Sequence, residues 1–300
     1  MTMGKKRANV LDVVEARYPG LPARVRAQIE AAERKFSPAP AEAESYLWEH
    51  TTHVAALAFD LARAEQAEPI VAAVAALFHD AGKFAGGAYH EGARPEEEES
   101  ARLAQRILGE AGMKPGEVRR IVTAIRALYN ERPARNKIAD ILHDADFLAK
   151  FGALGVAQFF IKSTLRGQTL RLALLSSLSK ELTYAAGLPA NMRTGAGRRR
   201  AAAKSAATLR YFRSLIGELR ETGLADIRVR RVLVERPGRP VTVRLALPRV
   251  CEACGGRWTV ACRTERGTKC EKLEAEALCA GCGRRASVSF CLPEMGGRTG

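Results

Sequence analysis

Ala76-Leu77-Phe78-His79-Asp80-Ala81-Gly82-Lys83 is the stretch on which the reading of this chain turns. From Pro69 to Phe78 nearly every residue is Ala, Val, Ile, Leu or Phe. Such a run is apolar on all sides and too short to span a bilayer, so it predicts a helix buried in a protein core. At its end stand an imidazole and a carboxylate on consecutive residues, and burying them is costly unless they are paired or coordinated. Both reach one divalent cation if the chain turns there, and Gly82 permits the turn. A His-Asp pair standing alone is equally an ordinary helix end.

Two other stretches bear on that choice. Trp48-Glu49-His50-Thr51-Thr52-His53-Val54 opens a helix in which Val54, Leu57, Ala58 and Leu61 recur at helical spacing. Ile138-Ala139-Asp140-Ile141-Leu142-His143-Asp144-Ala145-Asp146-Phe147-Leu148 places carboxylates in an otherwise apolar helix, where an unpaired charge is expensive. In this order the elements resemble the HD superfamily of metal-dependent phosphohydrolases, whose ligands run His, His-Asp, then a distant Asp. The resemblance extends from about residue 45 to about residue 220.

The resemblance implies an all-helical fold in which His50, His79, Asp80 and Asp146 hold one divalent ion: Mn, Fe, Co, Ni or Mg. His50 fits the first ligand, four residues before Val54, and Ala145-Asp146-Phe147-Leu148 fits the last. Asp144 lies about 160° around a regular helix from Asp146, so only one of the two faces the site. Lys83 matches the lysine of the family's H-D-x-G-K version, which holds substrate phosphate; the plainer reading is a surface lysine. His53, one turn beyond His50, is either a phosphate donor or proton shuttle at the rim or an ordinary surface histidine. Asp80, Lys83 and His53 are thus the expected catalytic group, and His143 is read as a local partner of Asp144. Members of the family that bind several metals carry further histidines. The corresponding places here hold Glu96 or Glu97 before Ser100-Ala101 and Tyr129-Asn130 after Leu128, which favours one metal; His90-Glu91 are additional candidate ligands.

The 300 residues suffice for one good-sized domain and a smaller one, and 47% hydrophobic with 6% aromatic content describes an ordinary globular chain. No run of eighteen apolar residues occurs, and the basic start Met1-Thr2-Met3-Gly4-Lys5-Lys6-Arg7 has no hydrophobic region behind it. The expectation is a cytoplasmic protein with no membrane association. The 48 basic against 33 acidic residues give a net charge of +15, which favours polyanionic partners or substrates unless it is merely a solvated face.

Helical periodicity continues through Leu11 to Ile29, Ala101 to Leu128 and Gly152 to Leu219, with a basic segment at Arg198-Arg199-Arg200. Near Gly223 the character changes. Ile227 to Val234 and Val241 to Leu247 alternate β-branched with basic residues around Pro237-Gly238-Arg239-Pro240, a hairpin pattern. All seven cysteines follow, within residues 251–291. Cys251-Glu252-Ala253-Cys254-Gly255 and Cys279-Ala280-Gly281-Cys282-Gly283 look like the two knuckles of a zinc ribbon, each glycine allowing the turn that points amides at the sulfurs. This predicts zinc on Cys251, Cys254, Cys279 and Cys282. The lack of an export signal argues against disulfides, and Cys262, Cys270 and Cys291 are left as small hydrophobes, oxidation-prone thiols or an incomplete second site.

The fold class is therefore mainly α, an HD-type helical domain over residues 1–224 followed by a small β zinc-ribbon-like domain over 225–300. Three functions remain in order of preference. The first is a phosphohydrolase acting on a nucleotide or related phosphate through metal-activated water. The second is a nuclease or RNA-processing enzyme fed by the tail, and the third is a nucleic-acid-binding regulator with a vestigial site. Residues 225–300 carry 15 Lys or Arg against 8 Asp or Glu, so the tail is expected to bind nucleic acid weakly and without sequence preference, Arg228 and Arg230 sharing one face of the hairpin.

Overall fold

The computed structural model describes residues 9–35, 45–84, 95–128, 136–235, 240–266 and 270–292. Helix α4 (Pro69–Phe78) is the centre of the first unit: Pro69 opens it, and residues 71 to 78 are all buried. Around it pack α1 (Val10–Arg17), α2 (Leu21–Arg34), α3 (Tyr46–Ala64), α5 (Glu96–Glu110), α6 (Pro115–Arg126) and α7 (Lys137–Ala149). A helix apolar all round needs neighbours on every side, and this one has them. Ser45 caps α3 by accepting from Trp48 N, and the buried Glu33 of α2 receives Ser45 Oγ and Leu47 N, which fixes where the His50 helix begins.

Packing divides the chain otherwise than the change of character at 224. One compact unit comprises residues 1–149 and 192–200, and the other residues 150–191 and 201–300. The second contains α8 (Gly152–Leu165), α9 (Leu170–Asn191), the part of α10 (Gly195–Glu221) from residue 201 onward, and all five strands. Its helices share a core with the first hairpin, in which Phe159, Leu178 and Phe212 lie with Ile227 and Ala246.

Strands β1 (Ile227–Val234) and β2 (Val241–Pro248) pair antiparallel from Ile227↔Pro248 to Val234↔Val241, as the alternation predicts. The hairpin turn at residues 237–239 lies outside the described residues. Strands β3 (Trp258–Arg266), β4 (Glu271–Cys279) and β5 (Arg285–Cys291) form an antiparallel sheet in the order β3-β4-β5. Val243, Leu245 and Leu247 of the hairpin meet Leu273, Ala275 and Phe290 of the sheet in a second core. The expected basic face is split by this packing: Arg230 donates from Nη1 to Trp258 O at 2.9 Å, tying β1 to β3, while Arg228 stays exposed.

The side of β2 away from β1 meets a helix. Ser179 and Thr183, one turn apart on α9, each accept a backbone N–H of β2 at 2.9 Å, from Ala246 and Arg244 respectively. Two hydroxyls thus occupy positions that a neighbouring strand would fill, since a buried N–H without a partner costs as much as a lost hydrogen bond. Thr183→Val keeps the side-chain shape and removes the acceptor. We expect it to lower stability by about 1–3 kcal/mol in denaturant unfolding of the intact chain; an unchanged midpoint would show that water replaces the hydroxyl.

Cys270 and Cys291 form a disulfide, against the expectation from redox context. The reason is local: β5 pairs Cys291 with Lys272, two residues beyond Cys270, and the two Cα atoms stand 5.8 Å apart. Cys262 is half-buried on β3 against the same core, where burial pushes its thiol up, so it acts as a small hydrophobe.

Candidate metal centres

His50, on α3, and His79, at the C-cap of α4, bring their rings to a centroid distance of 5.4 Å. Asp146 reaches them from α7: its Oδ1 lies 3.5 Å from His50 Nε2 and 3.8 Å from His79 Nε2. Asp80 Oδ2 lies 3.8 Å and 3.5 Å from the same two nitrogens, but the group whose donor atoms all lie within 4.8 Å of one another is His50, His79 and Asp146, and Asp80 stands beside that group. All four groups are buried. Donors about 2.1 Å from an octahedral ion stand about 3 Å apart when adjacent and about 4 Å when opposite, so the imidazole–carboxylate spacings suit a common ion.

The protonation pattern fits a cation as well. His79 Nδ1 lies 2.7 Å from Ala76 O, which only accepts, so Nδ1 carries a proton there and Nε2 is the nitrogen that faces inward. That Nε2 and Asp80 Oδ1 are buried without a hydrogen-bond partner among the described residues. Burial lowers His50 below its ordinary value despite the hydrogen bond to Asp146, and so favours the neutral imidazole that a metal requires. Burial by itself would raise the Asp80 carboxyl, but Lys83, then His79 and His50, outweigh it and hold the group below the usual carboxylate range.

Lys83 is part of this constellation, for its Nζ donates to Asp80 Oδ2 at 2.6 Å. Gly82 donates its N–H to Ser100 Oγ at 2.9 Å, and a Cβ there would collide with the backbone of residues 99 and 100, so the turn after Asp80 admits only glycine. His53 is half-buried one turn from His50 and does not join the His50, His79 and Asp146 group; Glu96 and Glu97, in the first turn of α5, do not join it either. Tyr129-Asn130 and His90-Glu91 lie outside the described residues.

Asp144 faces the other way. Its Oδ1 accepts from Arg193 N at 2.8 Å, and its Oδ2 from Thr194 N at 2.8 Å and Thr194 Oγ1 at 2.7 Å. Thr194 Oγ1 in turn accepts Gly197 N at 2.9 Å, so the carboxylate anchors the first turn of α10. His143 Nδ1 lies 3.0 Å from Asp144 Oδ1, making it the local partner expected. The anchor is missing from the sequence reading, although Thr194 ahead of a helix is itself a capping signal.

Residues 47–150 match the family model described as HD domain. The matched segment contains His50, His79, Asp80, Asp144 and Asp146. YpgQ of Bacillus subtilis, in complex with ADP, is 21% identical over 68% of this chain and 96% of its own, with a TM-score of 0.50. A predicted HD superfamily hydrolase from an uncultured Thermotogales bacterium is 21% identical over 69% of this chain and 98% of its own, also with a TM-score of 0.50. These two share the fold with the present chain. No curated protein matches it. No helix among the described residues is long and apolar enough to cross a membrane.

The second centre is built by two tight turns. Cys251, Cys254, Cys279 and Cys282 bring their four sulfurs within 4.8 Å of one another. Cys251 Sγ lies 3.7 Å from Cys282 Sγ, and Cys254 Sγ 3.4 Å from Cys279 Sγ. Sulfurs at about 2.3 Å from a tetrahedral ion stand about 3.8 Å apart, so the cage has the right size. Gly255 and Gly283 adopt φ of 68° and 72°, the left-handed turns expected after each pair. Backbone amides of Cys282 and then Gly281 pull Cys279 down to about 6, the thiolate character that metal binding uses. Gly256 cannot carry a side chain, since its Cβ would lie 2.7 Å from Cys279 Sγ.

Proposed function

We propose that the HD domain is a metal-dependent phosphohydrolase in which His50, His79, Asp80 and Asp146 hold one divalent ion. The observation that carries this is that buried His50, His79 and Asp146 each bring one donor atom within 4.8 Å of the others, with Asp80 Oδ2 3.5–3.8 Å from both imidazole nitrogens. Such an ion supplies a nucleophilic hydroxide at neutral pH and neutralises charge on the phosphoryl oxygens. The chain's own residues do the rest. Ala76 O fixes the His79 tautomer, Gly82 shapes the turn that presents Asp80, and Lys83 balances the Asp80 charge. Lys83, with its side chain 12% exposed, can turn to a substrate phosphate when the ion takes over Asp80. A nucleotide is the substrate class to test first, because YpgQ, which shares the fold, was solved with ADP. The test is metal analysis of the purified protein together with a panel of nucleotides, sugar phosphates and short oligonucleotides; inertness toward all of them with a filled metal site would refute the assignment.

We infer that the four-cysteine cage holds zinc, the ion that thiolate tetrahedra select. Replacing Cys254 and Cys282 together by Ser is expected to remove one zinc per chain and leave the HD-site metal in place, as read by elemental analysis. Retention of that zinc would mean that the cage is not its site.

A further inference from the structure

Part of the tail's positive charge is neutralised where it meets solvent. On the outer face of the three-stranded sheet, Arg263, Lys272 and Arg285 stand among Glu265, Glu274 and Glu276, and both Arg263 and Lys272 pair with Glu274. Arg220 and Arg249 are both held by Asp226, at 3.1 Å and 3.2 Å. Arg230 is spent on Trp258 O.

One pair on the first hairpin departs from this. The register places Arg231 of β1 directly opposite Arg244 of β2. Facing residues in an antiparallel pair have Cβ atoms about 5 Å apart, and like charges there are destabilising. Neither guanidinium forms an ion pair or hydrogen bond to a carboxylate among the described residues. Burial, and after it the facing Arg231, pulls Arg244 below its ordinary value. On the same face, Val229 and Leu233 are exposed apolar neighbours of Arg231, Leu233 by 62%. A fold that sets two cations against each other without a counter-charge gives up stability, and such breaches of local consistency mark functional positions.

We infer that Arg231 and Arg244 form a two-pronged receptor for a phosphate group, with the polynucleotide backbone as its source. Two guanidinium forks at strand-pair spacing match the geometry of one tetrahedral oxyanion, and Arg is suited to this bidentate contact. The exposed Val229 and Leu233 offer an apolar rest beside it for a sugar or base. This site lies in the second unit and does not depend on the metal reading of the HD domain.

The test uses the full chain with a labelled short single-stranded oligonucleotide and, separately, inorganic phosphate. Arg231→Gln alone and Arg231→Gln with Arg244→Gln are compared with Arg228→Gln, another exposed arginine, on the opposite face. The double variant should bind the oligonucleotide at least about tenfold more weakly and lose about 1.4 from the log–log salt slope, two contacts at about 0.7 each. Arg228→Gln should bind like the parent. Removing the like-charge contact should also raise the melting temperature of Arg231→Gln, whereas a purely structural role would lower it. Stabilisation of the parent by inorganic phosphate, lost in the double variant, with no oligonucleotide binding, would keep the receptor and assign it a small phosphorylated ligand. Equal losses in Arg228→Gln and the double variant, or no response of either probe to the pair, would overturn the inference.

Discussion

Asp80→Ala should empty the HD-site metal position, from about one ion per chain to essentially none, and lower phosphoester hydrolysis by about a thousandfold or more. The substitution removes a donor and its negative charge together, leaving two imidazoles and one carboxylate to hold a dication. It also frees Lys83, whose Nζ donates to Asp80 Oδ2 at 2.6 Å. Folding is expected to persist, because α4 is already complete at Phe78 and its buried apolar face is untouched. Elemental analysis, turnover and circular dichroism on one preparation separate these effects. Undiminished turnover would remove Asp80 from the mechanism, and a collapsed spectrum would recast the pair as structural.

Asp144→Ala, two residues before the site carboxylate Asp146, should do the reverse. Its carboxylate is fully buried and accepts from Arg193 N, Thr194 N and Thr194 Oγ1, so truncation leaves backbone donors of α10's first turn without partners inside the protein. The expected loss is about 3–5 kcal/mol of stability. Gly197→Ala should phenocopy it, since a Cβ there would strike the Asp144 carboxylate and lie 2.8 Å from Thr194 Oγ1. Both variants should still take up the HD-site metal at low temperature. Normal thermal unfolding of Asp144→Ala would show that the anchor is dispensable.

The contrast between Asp144 and Asp146 shows where sequence reasoning reaches its end. Periodicity alone says that the two carboxylates face apart, and the Ala-Asp-x-Leu pattern points to Asp146, which the structure places at the imidazoles. What Asp144 does depends on residues 49 and 50 positions downstream, and nothing local announces them. The same holds for Ser179 and Thr183, ordinary polar positions of a helix until β2, 67 and 61 residues later, meets them. Helix α4 was legible because an apolar run has only one stable environment. The cysteine knuckles were legible because their ligand spacing is short-range, whereas the Cys270–Cys291 disulfide follows from strand register, which spacing does not reveal. The hairpin's strands followed from alternation, but which arginines it exposes followed only from packing.

The hydroxyls of α9 along β2 also bear on how this chain can be recombined. A segment cut at the sequence boundary near 224 and joined to another protein would carry its first hairpin with the outer edge of β2 bare, an invitation to pair with a second copy. Moving the ribbon intact requires taking the helices from residue 150 onward, though it lies more than a hundred residues behind the first knuckle at Cys251. As a portable cassette, the cysteine module is therefore far longer than its metal-binding motif, and gene fusions that respect only the motif should yield protein that associates through its edges.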